Sequence, residues 1–278
     1  MDIAKVNGVE LEYEVVGSGE PVLLIDPVVP DGIRTLVSEP ALADHFELIH
    51  YHKRGWVGST HTEGPAGFSE HATDAAALLA HLGIPRAHIA GHSTGAIIAT
   101  QLALEVPEVV TTLTLLELSL MSLPVAQAFL QGAGPIFDAY GSGDHEGALA
   151  MFMSAVTGMD WAACRRLLDE RLPGAVAQAI KDAETFFGAE LPAMAAWTFS
   201  REQAALINRP VLSVLGTETN PLWVEVADFL RASLPYVEDC TIEGAGHLLQ
   251  IQRPGPIAGA IADFLARNPI AGASTRRI

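Results

Sequence analysis

Gly91-His92-Ser93-Thr94-Gly95 constrains this chain more than any other stretch. An apolar run containing Ala87, Ile89 and Ala90 leads into it, and a small-residue run from Ala96 to Ala103 leads out. The order reads as strand, G-x-S-x-G, helix. A serine on so sharp a turn needs glycine on both sides so that the backbones can approach, and the turn holds its Oγ above the edge of a sheet. Ser93 is therefore the expected nucleophile. In a chain rich in alanine and glycine the bare five-residue pattern recurs by chance; the flanking strand and helix give it weight.

A nucleophilic serine needs a base, with an acid behind it, and for this kind of turn the chain order is serine, acid, histidine. Val237 to Ile242 reads as a short strand, followed by Glu243-Gly244-Ala245-Gly246-His247 and then a helix from about residue 256 to 267. A histidine on a glycine-rich loop beyond the last strand can turn its ring back over the sheet edge. His247 is the only histidine after position 145, so it has no competitor there.

These motifs together resemble the α/β-hydrolase superfamily over nearly the whole length. Val22-Leu23-Leu24-Ile25 stands as the buried strand before the oxyanion loop. Arg54-Gly55-Trp56-Val57-Gly58-Ser59 looks like the family's R-G-x-G-x-S loop, with valine where the second glycine usually sits. Gly244-Ala245-Gly246-His247, followed by Arg253-Pro254, looks like its closing G-A-G-H and downstream proline. The resemblance implies an α/β-hydrolase fold, a mostly parallel sheet flanked by helices with a helical cap insertion, and names no substrate.

The acid departs from the common pattern. Relatives usually carry an aspartate three residues beyond the glycine that ends the penultimate strand. Here that strand is Pro210 to Gly216 and the position holds Thr219, with Glu218 beside it as a weaker alternative. Val109 to Leu116, one strand after the elbow helix, is β-branched and apolar, as a buried parallel strand should be, and it runs into Glu117. A carboxylate at the carboxyl end of a buried strand sits where open α/β sheets place their sites, and leaving it unpaired would cost several kcal/mol. Glu117 is the expected partner of His247, in preference to a helix-opening or capping role. In this placement the chain looks like the zearalenone lactonases.

The resemblance also implies two N–H donors for an oxyanion. One is the amide of Thr94, at the positive end of the elbow helix. The other lies in the loop after Ile25, which reads Asp26-Pro27-Val28 instead of the usual His-Gly. Proline has no N–H, so Val28 is the expected donor, with Val29 as the fallback.

Composition narrows the rest. The 278 residues, 49% hydrophobic, suit one α/β domain with an insertion. No apolar run approaches the roughly 18 residues of a membrane span, and no leader pattern opens the chain, so a cytoplasmic location is expected. Cys164 and Cys240 have no metal-ligand spacing. No metal and no cofactor is expected. A formal charge of −17 argues against nucleic acid and anionic membrane as partners. Oligomeric state stays open, a homodimer included.

Along the chain, Val9 to Val15 alternates as a half-exposed strand behind an Asn7-Gly8 turn. A helix is expected near 32–43, a strand at 46–51, and a helix at 70–82 capped by Ser69. Residues 268–278 are expected to fray. From Leu118 to about Leu206 strand signals vanish and helical spacing takes over, with helices near 124–131, 145–157, 160–171 and 174–187. The division is core at 1–118 and 207–278, cap at 119–206. Met121, Phe129, Phe152, Trp161, Phe187, Trp197 and Trp223 are the expected lining of a dry, apolar pocket.

The resulting expectation is a cofactor-independent serine hydrolase cleaving a small to medium apolar ester or lactone. Two alternatives remain. One is a C–C bond hydrolase, which would need a cation for a substrate carboxylate, with Arg34, Arg165 and Arg166 as candidates. The other is a receptor that uses a hydrolase pocket to sense a small molecule.

Overall fold

The computed structural model describes residues 1–62, 64 and 66–271. Eight strands form one sheet: β1 (Asp2–Val6), β2 (Val9–Gly17), β3 (Glu20–Ile25), β4 (Phe46–Tyr51), β5 (Ala87–His92), β6 (Val110–Leu116), β7 (Val211–Gly216) and β8 (Val237–Ile242). Their order is β1-β2-β4-β3-β5-β6-β7-β8. Strand β2 is antiparallel to both β1 and β4, and the other pairings are parallel. Asn7 and Gly8, at φ 47° and 77°, make the two-residue turn of the β1–β2 hairpin.

The central strands are buried on both faces, as their unbroken apolar runs require. Leu23 and Ile25 of β3 pack with Ile97 and Ile98 of the elbow helix, Thr94–Glu105. Val22 and Leu24, pointing the other way, pack with Ile257, Ile261 and Phe264 of the helix Pro254–Arg267. At about 1.5–3 kcal/mol for each fully buried Leu or Ile, these two layers rather than the exposed hairpin hold the sheet. No helix among the described residues is long and apolar enough to cross a membrane.

Between β6 and β7 the described residues form helices and turns without a strand, including His145–Thr157 and Trp161–Arg171. Other helices differ from expectation for local reasons. Instead of one helix over 32–43 there is a 3₁₀ turn at Arg34–Leu36 and a short helix at Pro40–Ala43. Just before that turn, the Asp26 carboxylate captures the amides of Asp31 (3.1 Å) and Ile33 (2.9 Å), while Pro40 can only start a helix. The helix expected behind Ser69 begins at Phe68 with Gly67 as its cap, and the Ser69 hydroxyl donates to Glu105 instead. The 124–131 segment splits into a 3₁₀ turn, Pro124–Ala126, and a helix, Gln127–Gly132. The 174–187 segment splits into a helix, Ala175–Lys181, and a π-helical stretch, Glu184–Glu190; at the junction the Asp182 carboxylate accepts the Val57 amide at 2.9 Å. Of the tail expected to fray, 268–271 is described and the Ile270 amide donates to Glu20, while 272–278 lies outside the described residues.

Apart from Asn7, the described non-glycine residues with positive φ are Asp31 (60°), Val57 (54°), Ser93 (55°) and Glu117 (43°). They follow the carboxyl ends of β3, β4, β5 and β6. Val57 is the valine standing where relatives carry glycine, and a β-branched residue in this region costs about 1–2 kcal/mol. The loop is held by a bidentate Arg54–Asp74 pair (2.6 and 2.7 Å) and by the Ser59 hydroxyl donating to the His52 carbonyl at 2.7 Å. Val57→Gly is accordingly expected to raise unfolding stability by about 1 kcal/mol, the relieved strain less the entropy glycine adds to the unfolded chain. Chemical denaturation measures it; a destabilised variant would show that Val57 contributes more by packing than it costs in backbone strain.

Candidate active site

Ser93 sits between β5 and the elbow helix at φ 55°, ψ −114°. The flanking glycines make the turn possible. A Cβ on Gly95 would collide with the carbonyl oxygen of Ile25, and one on Gly91 with that of Gly95. The same close approach sets the start of the elbow helix against the loop that follows β3.

His247 brings the other two side chains together. Its Nε2 lies 3.2 Å from Ser93 Oγ and its Nδ1 2.7 Å from Glu117 Oε2. Ser93, Glu117 and His247 are all buried, at 4–5% exposure. With Nδ1–H donating to the carboxylate, Nε2 is free to accept the serine proton, the tautomer that the network favours. The Gly216 amide donates to Glu117 Oε1 at 3.0 Å and the Thr219 hydroxyl to Oε2 at 3.0 Å. Thr219, three residues beyond Gly216, is thus a donor to the Glu117 carboxylate. Glu218 is exposed.

Three further neighbours complete the surroundings of Ser93 and His247, of which Trp223 was expected at the pocket and Ser119 had no signal in the sequence. Ser119 Oγ lies 3.0 Å from Ser93 Oγ. Trp223 stacks face to face on His247, centroids 3.9 Å apart and planes 4° from parallel, with its indole N–H donating to the Val156 carbonyl. His92 lies 4.8 Å from His247 by centroids, and its Nδ1 meets the Gln250 amide nitrogen at 2.9 Å. Burial, with the neighbouring His247 acting in the same direction, holds the His92 ring neutral, so Nδ1 accepts from Gln250.

Thr94 is the first residue of the elbow helix, where an amide has no intrahelical acceptor. Val28 is buried in the loop after β3. That loop is shaped by Asp26, whose carboxylate binds the two amides described above and also His50 Nε2 at 2.8 Å.

Of the seven residues expected to line a pocket, Trp223 is the one whose ring stacks on His247. Met121 is core. Phe129 meets Phe152, while both Phe152 and Phe187 meet Phe186 edge-on at 4.7 Å. Trp197 stacks on Phe199 and donates to Gln101, and Trp161 is half-buried against the core cluster. A cavity of about 480 Å³ lies elsewhere, between the loop after β4 and the π-helical stretch, lined by Arg54, His61, His71, Tyr140, Asp182, Thr185, Glu190 and their neighbours. None of the seven lines it, and its wall is polar because the charged loop after β4 faces the π-helical stretch there. Arg34 and Arg165, candidates for a substrate carboxylate, are tied to Glu14 and Glu146.

Behind this cavity lies a buried ion pair. Lys53 Nζ is 2.7 Å from Glu190 Oε1, both side chains 1% exposed, and the Trp56 indole N–H donates to Oε2 at 3.0 Å. Burial would raise the Glu190 carboxyl, but the Lys53 charge holds it below the ordinary value. Burial pushes the His71 imidazole down to about 4, with Glu190 opposing and Lys53 assisting. The sign follows from linkage: between its ordinary 6.5 and about 4, His71 binds its proton only when the chain unfolds. Stability should therefore be insensitive to His71 above pH 6.5 and fall as pH drops toward 4. His71→Gln should flatten that part of a Tm-against-pH curve; an unchanged slope would remove His71 from the account.

Comparison with known proteins agrees with the fold. The family model described as the alpha/beta hydrolase fold matches residues 37–254. Over 115 residues, 41% of this chain and 43% of the relative, the chain is 36% identical to a putative carbamate hydrolase, RutD, of Azorhizobium caulinodans, so the match spans less than half of that relative. The structure of "Est816 as an N-Acyl homoserine lactone degrading enzyme" is 25% identical, with a TM-score of 0.73 over 95% of this chain and 100% of that one. A thermophilic esterase from Thermogutta terrifontis is 22% identical, with a TM-score of 0.79 over 96% and 99%. A strained serine between two obligatory glycines, at the carboxyl edge of this strand order and inside a match that covers most of the sequence, means that the chain belongs to the α/β-hydrolase family.

Proposed function

We propose that this hydrolase cleaves carboxylic esters or lactones through Ser93, His247 and Glu117. The observation that carries the reading is the continuous contact from Glu117 Oε2 to His247 Nδ1 (2.7 Å) and from His247 Nε2 to Ser93 Oγ (3.2 Å), ending on a serine in strained backbone. Ser93 Oγ attacks the carbonyl carbon as His247 takes its proton; the proton then passes to the leaving alcohol oxygen, and the C–O bond breaks. Water attacks the acyl-enzyme with His247 again as base. Glu117 stabilises each imidazolium through Nδ1–H, and the amides of Thr94 and Val28 hold the oxyanion.

The names of the similar proteins, a carbamate hydrolase, an esterase and a lactone-degrading enzyme, support attack at a carbonyl carbon. A fluorophosphonate probe, p-nitrophenyl esters of graded chain length and a lactone series test the reading together. Covalent labelling with turnover of at least one ester or lactone is the expected result. Absence of labelling and turnover, with a ligand still raising Tm, would overturn it in favour of a receptor.

A further inference from the structure

A second constellation lies on the far side of the β3 loop. His50, in β4, and His52, just beyond its end, stand two residues apart, and the His52 amide continues the pairing with β2, so their side chains point the same way. Both rings are bracketed in the same way. His50 Nε2 meets Asp26 Oδ2 at 2.8 Å, and His52 Nε2 meets Asp31 Oδ1 at 3.3 Å. On the other side, His52 Nδ1 meets Glu12 Oε2 at 3.0 Å, and His50 Nδ1 lies 3.6 Å from Glu14 Oε1. The sheet register produces this pattern: Glu14 is the cross-strand partner of His50, and the His52 amide bonds the Glu12 carbonyl. One donor atom from each of Asp26, Asp31, His50 and His52 falls within 4.8 Å of all the others. The His50 side chain is fully buried, and its Nδ1 has no hydrogen-bond partner within normal distance.

We propose that Asp26, Asp31, His50 and His52 bind one divalent transition-metal cation of the zinc class, with Glu12 and Glu14 as the outer partners of the two imidazoles. Two imidazoles and two carboxylates suit such an ion. At metal–ligand distances of about 2.0–2.2 Å a tetrahedral set needs its donor atoms roughly 3.3–3.5 Å apart, so on loading the 2.8 Å His50–Asp26 contact has to open and the widest separations, up to 4.8 Å, have to close. A metal-bound imidazole needs its other ring nitrogen held by a carboxylate or carbonyl to fix the tautomer, and each ring here faces a glutamate. Charge points the same way. Glu12, Glu14, Asp26 and Asp31 against Arg34 leave three negative charges when both imidazoles are neutral, and a divalent cation reduces this to one. Two protons on the imidazoles would do the same, without needing the convergence of four donors. A bound ion would tie the β3 loop, which carries Val28, to β4, and so brace that loop independently of any substrate.

The test uses the full chain after chelator treatment and its removal, titrated with Zn²⁺ by calorimetry and with Co²⁺ by visible absorption. One ion per chain is expected, with the strong absorption of four-coordinate Co²⁺ and a raised Tm. Asp31→Asn and His52→Gln should both abolish binding, and Asp31→Asn, at the more open side of the set, should do so with its metal-free Tm near that of the parent. Glu12→Gln, which removes no ligand, should weaken binding by about 10- to 100-fold. Failure to take up either ion would overturn the proposal. So would uptake that persists unchanged in both ligand variants, which would mark adventitious binding at other histidines.

Discussion

Ser93→Ala is expected to abolish fluorophosphonate labelling and to lower ester or lactone turnover on the order of 10⁴-fold or more, with the fold intact. The side chain contributes only its oxygen contacts, to His247 Nε2 and to Ser119, while the backbone turn is set by the glycines on either side. His247→Ala should lower turnover comparably, because the serine then has no base. Intact-mass spectrometry after labelling reads the first variant directly. An alanine variant that labels like the parent would place the nucleophile elsewhere.

Glu117→Gln should lower turnover by roughly 10²- to 10⁴-fold, whereas Glu218→Gln should be close to neutral. The carboxylate accepts from three donors, namely Gly216, Thr219 and His247. An amide offers a single acceptor oxygen and must present N–H₂ to a donor on its other side, so it both loses the charge that stabilises the imidazolium and breaks the network that orients the ring. Steady-state kinetics of the two variants separates the assignments; a large loss with Glu218→Gln instead would move the acid to the loop after β7.

The elbow, the base loop and the strand carrying Glu117 were legible because each is local. Glycines flank a serine between a strand and a helix, and an apolar run ends in one carboxylate. What stayed illegible is what only the tertiary structure juxtaposes. Ser119 reaches the nucleophile because β6 lies beside β5, and Trp223 reaches His247 from a helix after β7. Thr219 reads as a missing acid in the sequence and is a hydrogen-bond donor to Glu117 in the structure. Helix boundaries failed where a side chain took backbone amides, as Asp26 does before Arg34, or capped another segment, as Asp182 does for Val57. The aromatic residues between β6 and β7 read as pocket lining because composition shows their number but not whether they face one another, as the phenylalanines around Phe186 do.

The four left-handed residues at the ends of β3, β4, β5 and β6 set where the molecule first yields. At about 1 kcal/mol or more each, they remove a sizeable share of a folding margin that is typically only 5–15 kcal/mol. The deficit is confined to one edge, since the opposite ends of the same strands carry no such residue among those described. Local opening should therefore start in these loops, and their amides should exchange with deuterium well before those of the β3–β5–β6 centre. A glycine at each position would close that gap in exchange rates, so the chain's slack lies along the edge that holds Ser93 and Glu117.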